Sequence, residues 1–461
     1  MRPRERADLL LAAGMLLWVA VLLARWPLAL SFGDEVGYVG QVRLLLDGRV
    51  HPLPESPGVW LATAHGRVTK FPLLLPLLVT PLFAVTPRLV FASGVLAALA
   101  LCFVASRVLK AWGRSPLWGL VFLAHPTVVI LARTVMADLL LAAFAVGAWW
   151  ALRRGRGVLG GSLIALVVGT KAIGFFVAMG LVAGEALRAW GAIARREPGA
   201  REQLVRAVAG LVSGMVFTSA LNVVTTGEPG FVYDQAHQYL GTPQFWPRYF
   251  PTSAPAYATA LALLPPLLVA GAWPFWRRRE FGPLAVIAGL TALMCFYFFV
   301  DRGRTRLETL VLAPRLILPV VAFLLVGYAD LLAGLAERAP RAAPALAALL
   351  VVAPALVCLA VSSRHRAWQE GEAAAVAEAA RAVQAARAPE LGLTGNASKA
   401  ALLYPGRVSM YVAGVHEPDV VLCNAGSESY RDPASIVTCA LPGYEERAAR
   451  DAFHVFVRRP R

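Results

Sequence analysis

Apolar runs of about 15–25 residues recur along most of this chain, separated by short stretches in which charges gather. A helix needs about 20 residues to cross the hydrocarbon core of a bilayer. The pattern therefore predicts transmembrane helices near 8–31, 88–107, 115–132, 135–152, 157–170, 172–190, 207–224, 256–276, 282–300, 311–335 and 342–361. One further apolar run, 71–85, holds Pro72, Pro76 and Pro81, with Pro87 just beyond. It is short, and a crossing there would reverse every later loop. It reads as a juxtamembrane helix lying in the outer interface.

Beyond residue 362 the pattern changes. Ala373 to Ala388 is amphipathic at the helical period, and 408–412, 420–423 and 454–457 read as short strands. The expected fold class is an all-α polytopic membrane protein of about eleven transmembrane helices with a small C-terminal α/β extracytoplasmic domain. Residues 1–362 form the membrane region, with 32–87 as its first outer loop, and 363–461 form the outer domain. No internal repeat and no low-complexity linker interrupts this order.

Composition agrees with a bilayer. Of 461 residues, 58% are hydrophobic and 16% charged, where a soluble domain carries roughly a quarter charged. The net charge of +16 could suggest nucleic acid, but its placement argues otherwise. The stretch 363–461 holds twelve Lys/Arg against eleven Asp/Glu, so nearly all of the excess lies among the apolar segments. There the basic residues cluster at Arg2/Arg4/Arg6, Arg107/Lys110/Arg114, Arg153/Arg154/Arg156, 188–206, Arg277/Arg278/Arg279 and Arg338/Arg341. These are alternate connections, which the positive-inside rule places in the cytoplasm. The N-terminus is then cytoplasmic, and five polar stretches face out: 32–87, Arg133 to Asp138, 225–255, 301–308 and the tail. The run 9–30 is longer than a signal-peptide core and lacks a small-x-small site, so an uncleaved first helix is expected. Arginine far exceeds lysine, and alanine and leucine abound. That fits a GC-rich bacterial genome, and hence the bacterial plasma (inner) membrane.

Cys102, Cys295 and Cys358 lie in apolar segments and read as packing residues. Cys423 and Cys439 lie in the polar tail, where an oxidising compartment permits a disulfide without the spacing demanding one.

Candidate chemistry gathers in the outward stretches. Asp34 and Glu35 directly follow the first helix, where falling dielectric should raise a carboxylate pKa toward that of a useful general base. The alternative is helix capping, since acidic residues favour a first turn. Lys70, opening the interfacial helix, can hold a phosphate as a point charge or simply snorkel. Arg133 and Asp138 flank the turn before the fourth helix, and either serve a site or pair with each other. Lys171 ends the fifth helix on the same side. Arg302, Arg304, Arg306 and Arg315 break the positive-inside pattern, and surplus outward cations call for anions, either a lipid-linked phosphate or acidic groups such as Asp34 and Glu35. Tyr233, Tyr239, Phe245, Trp246 and Tyr249 crowd one loop, either as an interface belt or as a stacking platform for sugar. His51, His65 and His237 lack metal-ligand spacing, and no metal site is expected. P-loop, dinucleotide and nucleophile-elbow motifs are absent, and nothing suggests a soluble nucleotide-sugar site.

In combination, these residues resemble the GT-C-fold glycosyltransferases that use polyprenyl-phosphate sugars. That group includes the protein O-mannosyltransferases and the lipid A aminoarabinose transferases. The likeness spans roughly 8–335 and rests on Asp34-Glu35 with Tyr38, Lys70-Phe71-Pro72, Arg133 through Met136 to Asp138, Gly169-Thr170-Lys171, and Pro314-Arg315 through Pro319. The resemblance implies Asp34 as catalytic carboxylate beside Glu35, and Asp138 as a second acid in the cavity. It implies Lys70, with Arg133, Lys171, Arg304 and Arg315, as holders of the donor phosphate. Tyr38, Tyr233 and Trp246 would contact substrate. The implied partners are a polyprenyl-phosphate-sugar donor, a lipid, glycan or protein acceptor, and the bilayer itself. No cofactor is required, although a divalent cation is compatible with the acids. A second proline after the lysine and an acidic pair beyond Asp138 are missing, which leaves subfamily and metal dependence open. Two other classes share the helices and outward cations: a transporter or flippase for a lipid-linked anion, and an O-antigen-ligase-type transferase. The first would favour repeated halves; the second would gather its arginines in one late loop.

Overall fold

The computed structural model describes residues 3–63, 66–69, 71–194, 199–230, 245–298, 305–394, 398–425, 439, 441–450 and 453–459. Helix dominates, at 70%, because apolar segments in lipid can satisfy their peptide groups only within themselves. In chain order the helices are α1 (Pro3–Ala24), α2 (Gly33–Leu46), α3 (Leu74–Val85), α4 (Ala92–Ala111), α5 (Val121–Ala124), α6 (Pro126–Leu131), α7 (Ala137–Arg153), α8 (Gly157–Thr170) and α9 (Gly174–Ala194). They continue as α10 (Ala200–Thr226), α11 (Phe250–Leu263), α12 (Ala272–Arg277), α13 (Phe281–Cys295), α14 (Arg306–Leu312), α15 (Leu318–Arg338), α16 (Ala343–Ala386) and α17 (Ser398–Ala401). Among the described residues, four helical stretches are long and apolar enough to cross a membrane: Arg6–Ala24, Pro87–Ala111, Arg201–Thr226 and Arg306–Arg338. Leu9, Leu16, Leu17 and Val21 of α1 are exposed. In water they would make an unusually large apolar patch, and lipid removes that difficulty.

The chain forms two compact units, one of residues 1–25, 93–223 and 228–361, the other of 26–92, 224–227 and 362–461.

In the first unit α15 lies in the core, with Val320 to Val326 almost wholly buried. Three segments expected as unbroken helices are interrupted at prolines. The 115–132 segment becomes a 3₁₀ turn, α5 and α6, with His125 extended (φ −69°, ψ 125°) ahead of Pro126. The 256–276 segment breaks at Pro265 and Pro266 between α11 and α12. The third breaks at Pro314 between α14 and α15. Breaks at this depth survive only if freed carbonyls find donors. They do: His125 Nε2 donates to Leu264 O (2.9 Å), Tyr328 Oη to Pro266 O (2.8 Å) and Thr127 Oγ1 to Val311 O (2.7 Å). The α12 end meets α15 at Gly271 and Gly327. A Cβ on Gly327 would lie 1.9 Å from Gly271 O, so only glycine permits that approach.

Ion pairs sort this unit's connections into two ends. Asp8–Lys110 (2.6 Å), Arg114–Asp330 (3.1 Å), Arg278–Asp330 (3.0 Å) and Arg153–Glu280 (2.9 Å) join loops at one end. Arg278 also covers the Trp112 ring there, at 4.1 Å. Arg133 Nη2 donating to Arg25 O (2.7 Å) and the Lys171–Asp138 pair (2.7 Å) lie at the other.

The second unit holds α2, the hairpin of β1 (Trp60–Thr63) and β2 (Gly66–Thr69), α3, and the C-terminal part of the chain. The tail sheet consists of β3 (Leu391–Leu393), β4 (Val408–Met410), β5 (Val420–Asn424), β6 (Tyr444–Arg450) and β7 (Phe453–Arg458), in the order β4-β3-β5-β7-β6. Ala375, Ala379 and Val383 recur at i, i+4, i+8 on α16 and pack with Val420 and Leu422 of β5. On the opposite face, Val421 and Cys423 pack with Tyr444 and Phe456. Cys423 is disulfide-bonded to Cys439.

Candidate functional site

Asp34 and Glu35 stand in the first turn of α2 and divide the work of an acidic pair. Glu35 is fully buried, and its Oε2 accepts the N–H groups of Ser31 (2.6 Å) and Phe32 (2.8 Å). It caps the helix, meeting donors that every helix start leaves orphaned. Asp34, one position earlier, is half-buried. The capping alternative raised by the spacing is thus what Glu35 does.

One turn on, Tyr38 is buried and lies against Phe71, ring centroids 4.5 Å apart. Gly37 allows this, because a Cβ there would sit 2.2 Å from the Phe71 ring. Gln41 Nε2 donates to Phe71 O (3.2 Å), and the Phe71 N–H donates to Thr69 Oγ1 (3.1 Å). Both residues flanking Lys70 are therefore buried and bonded. Lys70 itself lies outside the described residues, as do Arg302, Arg304, Tyr233, His65 and His237.

In the first unit, Asp138 opens α7 and is 1% exposed; Lys171, at the C-terminal end of α8, is 14% exposed and reaches Asp138 Oδ1 at 2.7 Å. A carboxylate in the first turn of a helix also meets the positive end of the helix dipole. The Arg133 guanidinium donates to Arg25 O, and Asp138 takes Lys171 as its cation. Arg315 is buried in the 3₁₀ turn Ala313–Ile317, and Glu308 nearby is buried in α14, whose start is capped by Thr305 Oγ1 accepting the Glu308 N–H (3.2 Å). Trp246 is 50% exposed. Its backbone N–H donates to Phe296 O (2.9 Å), beside the Phe245–Tyr297 ring pair at 5.2 Å. Among the described residues no three His, Cys, Asp or Glu side chains gather as they would around a metal ion.

No family model matches this sequence, and no curated protein matches it either. Solved structures do. Over 99% of this chain and 98% of the other, the fold superposes on ArnT from Cupriavidus metallidurans bound to undecaprenyl phosphate, with a TM-score of 0.59 at 14% identity. The apo state of the same protein gives a TM-score of 0.54 at 16% identity over 96% and 97%. The chain has the fold of ArnT. The resemblance read from scattered motifs thus holds at the level of the whole fold. The ArnT fold and the apolar helices together make this a multi-pass membrane protein.

Sequence reading passed over several residues that the structure ties to distant carbonyls. Arg43 of α2 donates to the carbonyls of Leu402 (2.9 Å), Gly406 (3.2 Å) and Tyr404. Burial pushes its guanidinium down to about 10, against the opposing pull of Asp47. Gln369 of α16 bonds the chain just before α2. An arginine in a short helix and a glutamine in a polar helix carry no pattern that separates them from surface residues.

Proposed function

We propose that this protein is a membrane glycosyltransferase that moves a sugar from a polyprenyl-phosphate-linked donor to an acceptor outside the cytoplasm. The observation that carries the reading is the match over the whole length to a protein solved with undecaprenyl phosphate bound, in a chain whose outward segments bring acids and surplus cations. Asp34 is the general base. It takes the proton of the acceptor hydroxyl as the acceptor oxygen bonds to the anomeric carbon. The carbon–oxygen bond to the lipid phosphate breaks, the phosphate leaves with the electron pair, and the anomeric centre inverts. A positioned base of this kind contributes typically about 10²–10⁴-fold.

Lys70, Arg133, Arg304 and Arg315 stabilise the departing phosphate charge, and Lys171 adds its charge while holding Asp138. Tyr38, Tyr233 and Trp246 line the sugar and acceptor paths. No cofactor enters these steps; a divalent cation remains compatible with the acids. In this reading the chain crosses a bacterial inner membrane about eleven times, with the N-terminus in the cytoplasm and the C-terminal domain outside. The two sets of end contacts support it. Every loop joined at the Asp330 end is one that charge bias assigns to the cytoplasm, and Arg133, Asp138 and Lys171 are all assigned outside.

The test is transfer itself. Membranes containing the protein are supplied with radiolabelled polyprenyl-phosphate pentoses and hexoses, or with the matching nucleotide sugars. Label should enter an acceptor from a lipid-linked donor alone. Transfer directly from nucleotide sugar, or movement of intact lipid across the bilayer without transfer, would replace this reading.

A further inference from the structure

Residues 26–32 lead into α2 without helix or strand of their own. Even so, Pro27, Ala29 and Leu30 are buried. A buried segment with no ladder must find partners for its peptide groups elsewhere. They come from α16. Arg366 Nη1 donates to Trp26 O at 2.9 Å. Gln369 Nε2 donates to Ala29 O at 2.9 Å and to Ser31 Oγ at 3.0 Å, and its Oε1 faces the Leu28 N–H at 3.5 Å.

Gln369 is 3% exposed. Its amide both donates and accepts from one plane, which neither lysine nor arginine can do. The N–H groups of Ser31 and Phe32 go to Glu35. Gln369, Ser31 and Glu35 thus form a continuous bonded path that ends around Asp34. Farther along the same loop, Arg43 is anchored on three tail carbonyls, and the Met410 N–H donates to Glu55 O at 2.6 Å.

We propose that Gln369 is a positioning residue for Asp34, and that the C-terminal domain is the frame holding the loop that carries this carboxylate. The inference rests on the transfer reading given above. Misplacing a reacting group by about 1 Å can cost on the order of 10²-fold in rate. Donor binding, which draws on other residues, should not change with it.

The full-length protein is purified as wild type, Gln369→Leu, Ser31→Ala and Arg381→Ala, the last an exposed α16 position paired with Glu378 along its own helix. Amide hydrogen exchange over residues 26–46 and steady-state transfer are measured on each. Gln369→Leu should exchange faster across 26–35 and lose at least about tenfold in kcat with KM for the lipid donor unchanged within about twofold. Ser31→Ala removes one acceptor and should shift both readouts the same way by less, about threefold. Arg381→Ala should match wild type. Unchanged exchange in Gln369→Leu, or faster exchange with wild-type kcat, would overturn the proposal. Where Gln369→Leu fails to fold, Ser31→Ala decides by the same criteria. If the wild type transfers no sugar at all, the transfer reading falls, and exchange alone decides whether Gln369 braces the loop.

Discussion

Lys171 and Asp138 form a pair out of contact with most solvent, and such pairs are asymmetric in their energetics. Deleting one partner strands a buried charge and costs about 3–5 kcal/mol, whereas replacing both with apolar residues of similar volume is often close to neutral. Lys171→Met should therefore lower the thermal midpoint of the detergent-solubilised protein sharply, and Lys171→Met with Asp138→Leu should recover most of the loss. A double variant as unstable as the single one would mean that Asp138 is held by other groups. At this scale the sequence was only half legible. Ionisable residues at membrane depth announce themselves, so Asp34, Glu35, Asp138 and Lys171 stand out as candidates from the sequence alone. Their division of labour was not readable, because Glu35 becomes a cap only through the backbone angle at which the chain enters α2. The Arg133–Asp138 pairing allowed by spacing gave way to Lys171, which the fold delivers from another helix.

Elements were legible wherever one period dominates. The 157–170 helix appears with those bounds, and three strands of the tail were expected close to where they lie. The misses have particular causes. Pro126, Pro265 and Pro314 split helices that hydropathy alone reads as continuous, since an apolar average is blind to a missing N–H. In the opposite direction, α16 runs unbroken from Ala343 to Ala386, where two helices were expected. Nothing between them stops a helix, and Arg366 and Glu370 pair at i, i+4 (2.7 Å). Strand β6 escaped notice because Tyr444–Arg450 is mostly charged, as befits the edge of a sheet.

One residue of β6 carries a pH prediction. Burial pushes the Tyr444 hydroxyl up to about 12, and that hydroxyl donates to Pro418 O at 2.6 Å. Its pKa in the unfolded chain is about 10. A raised folded-state value means that the protonated form is favoured by folding. The contribution is complete below pH of about 10 and is lost as pH rises from there through about 12. Phenolate absorbance should show one tyrosine ionising late and together with loss of tail structure. In Tyr444→Phe the late step should vanish.

At the scale of the molecule, the hydropathy pattern pointed to a mostly helical membrane chain with a small C-terminal sheet, and the motif resemblance pointed to the ArnT-like fold. Neither could show that residues 26–92 join the tail in one compact unit, because that grouping depends on contacts across more than 300 positions such as Gln369 with Ala29. Charge bias predicts which side each loop occupies, and exposed positions make this testable. Single cysteines at Arg49 or Val415 should react with an impermeant maleimide in intact cells, and one at Arg154 only after permeabilisation. The reverse pattern would put the acids of α2 in the wrong compartment for a lipid-linked donor.

The account stands most directly on the Asp34 carboxylate. Transfer from a radiolabelled polyprenyl-phosphate sugar, compared between wild-type membranes and membranes with equal amounts of Asp34→Asn, measures its contribution without any other change of shape or charge on the loop. The expected result is a fall of about 10²–10⁴-fold in kcat with donor binding retained. Asp34→Asn transferring sugar at the wild-type rate would contradict it.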